Sequence, residues 1–188
     1  MRVVAAQRAY LAHLAVERGA SPATLAAYRH DLDRYATYLG GQDLGLSCVT
    51  GPVIEGYIAA ARVGEDGGGP LSASSAKRAV AAIRGFHRFV AAEGWTPADP
   101  AASVSPPAIP DHMPDVLSID DVGRLLDATE VGPAYLALRD RALAEFLYAT
   151  GARVSEALAL NTGDIDARGA GPGIVRLLGK GRKERGVP

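Results

Sequence analysis

The chain has 188 residues, 48% of them hydrophobic, with 20 Lys and Arg against 21 Asp and Glu, a net charge of −1; such a chain can bury one large or two small cores without disulfide or metal staples. No apolar run approaches the roughly 18 residues that span a bilayer, and Met1 leads through Arg2 into an amphipathic segment rather than an apolar signal core, so the expectation is a cytoplasmic protein. The single cysteine, Cys48, has no partner for an internal disulfide and no Cys or His cluster around it; it reads as a small packing residue and sets redox and metal chemistry aside.

The first hundred residues read as helices. Val3 to Arg18 places Tyr10, Leu11 and Leu14 on one face, with Gly19 as a stop. The next helix begins sharply: Ser21 caps it, Pro22 takes its first position, and Leu25, Tyr28, Leu32, Tyr35 and Leu39 recur every three or four residues up to Gly40 and Gly41. Thr50 and Pro52 open a shorter helix with Val53, Ile54, Tyr57 and Ile58 inward, and Gly64 to Pro70 reads as a flexible break. A fourth helix is expected from about Ser74 to Glu93. Half of the 12 prolines fall between Pro97 and Pro114, in a stretch without apolar periodicity, which reads as an extended linker between domains. The expected organisation is therefore a helical domain over 1–100, a Pro-rich linker over 101–115 and a second domain over 116–188. In the last, Ser118 with Asp120 and Asp121 starts a helix with Val122, Leu125 and Leu126 inward, and Leu138 to Ala149 forms another, closed by Gly151. Ile165, the glycine-rich turn at Gly169, Gly171 and Gly173, the run Ile174 to Leu178 and the tight Gly179 to Gly181 then suggest short antiparallel strands joined by hairpins.

Charge is unevenly distributed along this neutral chain. Residues 71–95 carry Lys77, Arg78, Arg84 and Arg88 against Glu93 alone, and residues 176–188 carry Arg176, Lys180, Arg182, Lys183 and Arg185 against Glu184 alone. Two basic clusters suggest two contact surfaces for one polyanion, the bland alternative being solvated faces. On the fourth helix, at about 100° per residue, Arg84 and Arg88 fall within about 20° of Lys77, whereas Ala79, Ile83, Phe86 and Val90 gather on the opposite side. A merely solvated face usually mixes acids among its bases, and this stripe has none before Glu93. His87 lies at the edge of the apolar face and reads as a structural histidine.

The most specific stretch is Leu147-Tyr148-Ala149-Thr150-Gly151-Ala152-Arg153-Val154-Ser155-Glu156-Ala157-Leu158-Ala159-Leu160, followed by Gly179-Lys180-Gly181-Arg182-Lys183-Glu184-Arg185-Gly186-Val187-Pro188. It resembles the tyrosine recombinases of the Xer/integrase kind, in which a Thr-Gly-x-Arg-x-Ser-Glu segment holds the first catalytic arginine and a Gly-Lys-Gly-x-Lys-x-Arg hairpin holds the catalytic lysine. The resemblance extends to Thr24, Tyr28, Asp31 and Leu32 in the second helix, to the linker, and to Leu138-Arg139-Asp140-Arg141, and so spans nearly the whole chain. It implies a mainly α fold: an amino-terminal SAM-like four-helix core-binding domain, then the first, α+β part of a recombinase catalytic domain. It also implies Arg153 and Lys180 as catalytic residues; together with the two basic clusters, the expected DNA contacts are Thr24, Lys77, Arg78, Arg84, Arg88, Arg182, Lys183 and Arg185.

The residues support the same chemistry on their own terms. Arg153 follows a helix-ending glycine and adjoins a new helix start, where its fork can be held against phosphate oxygens; the alternative is an ordinary ion pair with Glu156. Lys180, between two glycines on a tight turn, can approach a backbone closely and protonate a leaving alkoxide. A Walker loop is excluded, because Gly173 lies one residue too far from the lysine and Gly181 stands where Ser or Thr is needed.

The resemblance further implies a His-x-x-Arg segment, another His or Trp, and a tyrosine nucleophile, all carboxy-terminal to the lysine hairpin. The sequence ends at Pro188, and none of Tyr10, Tyr28, Tyr35, Tyr38, Tyr57, Tyr135 and Tyr148 matches the nucleophile's context. The expectation is a fragment, inactive alone, of an enzyme that needs no metal or nucleotide cofactor. Its partner would be a double-stranded DNA half-site on which full-length protomers form a homo- or hetero-tetramer, with no membrane and no small-molecule substrate. Two other classes stay open: a DNA-binding module without catalysis, which needs neither Arg153 nor Lys180, and a protein-interaction domain, which needs neither basic cluster.

Overall fold

A computed structural model describes residues 2–108, 115–166, 173–179 and 183–188. The chain divides into two compact units, Met1–His112 and Met113–Pro188. Among the described residues no helix is long and apolar enough to cross a membrane.

The first unit is built from α1 (Val3–Val16), α2 (Pro22–Gly41), α3 (Gly51–Val63) and α4 (Ala73–Ala92). Local chemistry sets the helix ends. Ser21 accepts a hydrogen bond from the Thr24 amide at 3.2 Å with Pro22 in the first turn, and Ser72 does the same for the Ser75 amide at 3.2 Å, so α4 starts slightly earlier than the sequence suggests. α3 ends where Gly64 turns left-handed at φ 83°.

α4 is the central helix and packs on each of the other three. Its Ala76, Ala79, Val80, Ile83, Phe86 and Val90 are buried, against Tyr10 and Leu11 of α1, Leu32, Tyr35 and Leu39 of α2, and Ile54, Tyr57 and Ile58 of α3. α1 crosses α4 closely at Gly85, where an added Cβ would lie 2.1 Å from the Tyr10 hydroxyl oxygen. Gly85→Ala is therefore expected to destabilise the unit by about 1–2 kcal/mol in urea titrations, since overpacking outweighs the better helix propensity of alanine. Gly85→Ala with Tyr10→Phe should recover part of that loss, and no recovery would show that the hydroxyl is not the obstacle.

Three features depart from expectation. The Pro-rich stretch begins inside the first unit: Ala101 and Val104 lie in its core, behind a turn in which the Ala101 amide donates to Asp99 Oδ1 at 2.9 Å. The glycine-rich break after α3 is a folded loop, because Arg34 of α2 reaches into it. Arg34 donates to the Asp66 carboxylate through Nε and Nη2, and through Nη2 also to the carbonyl oxygens of Gly69 at 2.7 Å and Ala61 at 3.4 Å. That pairing holds the buried Asp66 carboxyl below its ordinary range. Cys48, finally, is exposed at the end of a short 3-10 turn, Leu46–Cys48, and the packing there falls to Leu46 and Val49.

The second unit contains α5 (Ile119–Ala128), α6 (Ala134–Thr150), α7 (Val154–Leu158) and an antiparallel sheet in the order β1 (Ile165–Asp166), β2 (Ile174–Leu178), β3 (Glu184–Val187). Ser118 and Asp121 close a capping box on α5, with the Asp121 amide 3.1 Å from Ser118 Oγ. α6 begins right after Pro133, ahead of the expected Leu138, and Gly151 ends it at φ 59°. In β2 the side chains alternate, Val175 and Leu177 inward and Ile174, Arg176 and Leu178 outward, with Leu177 opposite Arg185.

Candidate DNA-contacting stripe and phosphate-binding arginine

On α4, Lys77 and Arg88 are exposed and Arg84 is half-buried, on the side away from the packed face. Among the described residues none of the three takes part in an ion pair. Arg78 stands apart from them. Its Nε and Nη2 grip the two oxygens of the buried Asp31 carboxylate on α2 at 2.8 and 3.0 Å, so this guanidinium, expected to meet DNA, also ties α4 to α2. Thr24 is exposed in the first turn of α2, its hydroxyl 2.9 Å from that of Ser21.

Arg153 occupies the cap position of α7 with an extended backbone (φ −71°, ψ 147°), two residues after Gly151 releases the chain from α6. Its amide donates to Glu156 Oε2 and its Nη1 to Glu156 Oε1, each at 2.9 Å. The ion pair read from the sequence is thus present, yet it engages one edge of the guanidinium only: the Arg153 side chain is 65% exposed while that of Glu156 is 4% exposed. Glu156 is the anchor and Arg153 the outward-facing fork.

Glu156 has a second partner. Arg185 of β3 donates through Nη1 to Oε1 at 3.1 Å and through Nη2 to Oε2 at 2.7 Å. The hydrogen bonds from Arg185, followed by the Arg153 amide, pull the Glu156 carboxyl down to about 2, so it is a carboxylate at any working pH. Arg185, expected to meet DNA, pairs with Glu156 while its side chain stays 37% exposed. Lys183 is exposed and its carbonyl accepts the Gly179 amide at 2.8 Å. Lys180 and Arg182 lie outside the described residues.

Residues 8–94 match the phage integrase N-terminal SAM-like domain, and residues 115–188 match the phage integrase family domain. The chain belongs to the phage integrase family, the tyrosine recombinases. This recombinase-family chain is 46% identical over 185 residues to tyrosine recombinase XerD of Corynebacterium glutamicum, covering 96% of the chain and 60% of that protein. It is 43% identical over 197 residues to XerD of Mycobacterium tuberculosis, covering 100% and 62%, and 38% identical over 184 residues to XerC of Myxococcus xanthus, covering 95% and 57%. The recombinase-family chain thus spans about three-fifths of the length of these relatives. Its fold is similar to that of a chain in the crystal structure of a lambda integrase dimer bound to a COC' core site, with a TM-score of 0.74 at 22% identity over 100% of this chain and 49% of that one. The XerH site-specific recombinase bound to difH substrate is similar at a TM-score of 0.65 and 20% identity, over 90% of this chain and 50% of that one.

Two partnerships are invisible in the sequence: Asp31 with Arg78, and Glu156 with Arg185. The three-residue spacing from Arg153 to Glu156 is visible in the sequence; the other two pairs span 47 and 29 residues and leave no local signal.

Proposed function

We propose that this chain is the DNA-grasping and first phosphate-binding part of a site-specific recombinase that cuts and rejoins duplex DNA through a 3′-phosphotyrosine, acting in the cytoplasm in chromosome dimer resolution or DNA integration. The observation that carries this reading is the Arg153 fork, fixed along one edge by a buried carboxylate and open along the rest. A guanidinium so held suits the equatorial oxygens of a pentacoordinate phosphorane and needs no reorganisation as charge develops. Lys180 protonates the 5′ leaving oxygen, and the bond energy retained in the phosphotyrosine makes religation independent of a nucleotide. No metal or other cofactor takes part. Full-length protomers pair on inverted half-sites and assemble as a tetramer.

Lys77, Arg84 and Arg88 meet the DNA backbone along α4, joined by Thr24 of α2 and by Arg182 and Lys183 of the Gly-Lys-Gly-Arg-Lys motif. Replacing Lys77, Arg84 and Arg88 together by Ala is expected to weaken duplex binding and to flatten the slope of log affinity against log salt by up to about 3, near one per phosphate contact, with little change in melting temperature. Fluorescence anisotropy over a salt series measures this. Unchanged affinity would make the stripe a solvated face, and a flat slope for the unaltered chain would remove DNA as the partner.

A further inference from the structure

We infer that Arg185 is a positioning residue: by clamping Glu156 it fixes the guanidinium of Arg153 and locks the strand leaving the lysine hairpin to the helix that Arg153 opens. The tie itself is read from geometry; its use in phosphate binding rests on the recombinase function proposed above.

Four observations support it. Arg185 sits directly opposite Leu177 in the β2–β3 ladder, and directly opposed residues share a face; Leu177 is 1% exposed, so Arg185 projects toward the covered side of the sheet, where α7 contacts β2. Its fork is bidentate on Glu156, both oxygens of which also accept from Arg153. One carboxylate therefore serves two arginines, one three residues before it and one 29 residues after it. Glu156 is buried, and a buried carboxylate that loses its fork must shift or take up a proton, either of which releases Arg153. Finally, Gly179, the residue before Lys180, lies against this pair: a Cβ there would stand 3.2 Å from Arg185 Nη1 and 3.4 Å from Glu156 Oε1. The first glycine of the Gly-Lys-Gly motif thus makes room for the tie, and its amide donates to the Lys183 carbonyl at 2.8 Å, extending the β2–β3 pairing.

A lysine at 185 would keep the charge but not the planar fork, so a contact with DNA phosphate and a tie to Glu156 respond differently to Arg185→Lys. The experiment uses the whole 188-residue chain, with ¹⁵N spectra of the arginine side chains. In the unaltered protein Arg153 should give a resolved, slowly exchanging guanidinium signal. In Arg185→Lys and in Arg185→Gln that signal should collapse into the averaged pool of exposed arginines, while the Glu156 carboxyl titrates upward from about 2 toward the ordinary carboxylate range. The Arg78 signal and the Val175–Val187 strand-pair amides should persist, showing that both units stay folded. An unchanged Arg153 signal in both folded variants would overturn the inference.

A double-mutant cycle on a short random-sequence duplex supplies the second reading. Arg153→Gln and Arg185→Lys should each weaken binding, the first about tenfold, and the double variant should be no weaker than Arg153→Gln alone. Retained affinity in Arg185→Lys, or additive losses, would make Arg185 a phosphate ligand and refute the tie. If the unaltered chain fails to bind the duplex, the recombinase reading fails, and the side-chain spectra still decide the role of Arg185.

Discussion

Joined to the carboxy-terminal remainder of a tyrosine recombinase, this chain should lose about 10²- to 10⁴-fold in strand cleavage when either Arg153 or Lys180 is replaced, and by itself it should bind DNA without forming a covalent adduct. Transition-state stabilisation needs a nucleophile to serve. Of the tyrosines here, Tyr10, Tyr35 and Tyr57 are buried in the first unit, and burial pushes the Tyr10 hydroxyl up to about 12 and those of Tyr35 and Tyr57 up as well, away from the oxyanion an attack requires. Tyr135 and Tyr148 are exposed on α6, but no base or cation is bonded to either among the described residues. A nicked suicide substrate carrying a half-site is the assay, read on a denaturing gel. An adduct from the 188 residues alone would place a nucleophile among these seven tyrosines, and Tyr→Phe substitutions would locate it. The two roles separate by leaving group: a 5′-thio substrate needs little protonation, so it should rescue Lys180 variants in part and Arg153 variants not at all. Equal rescue of both would show the roles wrongly assigned.

The first unit should lose roughly 3 kcal/mol of stability as pH falls from 6.5 to 4, through a single histidine. His87 is fully buried in α4, with Nε2 3.0 Å from the Tyr35 hydroxyl, its ring against Phe86 and Tyr35, and Nδ1 without a hydrogen-bond partner among the described residues. Burial lowers its pKa from 6.5 to about 4, with Asp99 opposing weakly. The folded pKa is the depressed one, so the unfolded chain binds the proton first: the contribution is complete above pH 6.5 and shrinks as the pH falls toward the folded value of about 4. Asp66 of the same unit, its carboxyl held below the ordinary range, adds a loss in the same direction once the pH passes below about 5. Urea titrations across this range should show the decline, and His87→Gln, which offers Tyr35 an amide partner but no titrating proton, should flatten it. An equal decline in His87→Gln would assign the pH dependence elsewhere.

Sequence by itself determined most of the helices, the Ser21 and Ser118 caps and the two motifs, because each rests on neighbours one to four residues apart, though not where α4 and α6 begin. Ser21 before Pro22, the apolar recurrence along α4, Gly151 before Arg153 and the alternation from Ile174 to Leu178 are all decided by backbone geometry within a turn or a strand. The cationic stripe of Lys77, Arg84 and Arg88 was legible for the same reason, as was the capacity of Arg153 to pair with Glu156.

Only the tertiary structure decided which cations are free and which loops are folded. Arg78 and Arg185 look, in sequence, like members of basic clusters; in the fold they neutralise Asp31 and Glu156, carboxylates 47 and 29 residues away. The glycine-rich stretch after α3 lacks any local pattern, yet Arg34 organises it across 32 residues through Asp66, and Ala101 and Val104 enter a core that composition assigned to a linker. Cys48 went the other way, to the surface. Periodicity records which side of an element is apolar, whereas the partner of a buried charge is fixed by where distant elements meet. A carboxylate taken out of water must find its cation there, at a cost of several kcal/mol if it does not.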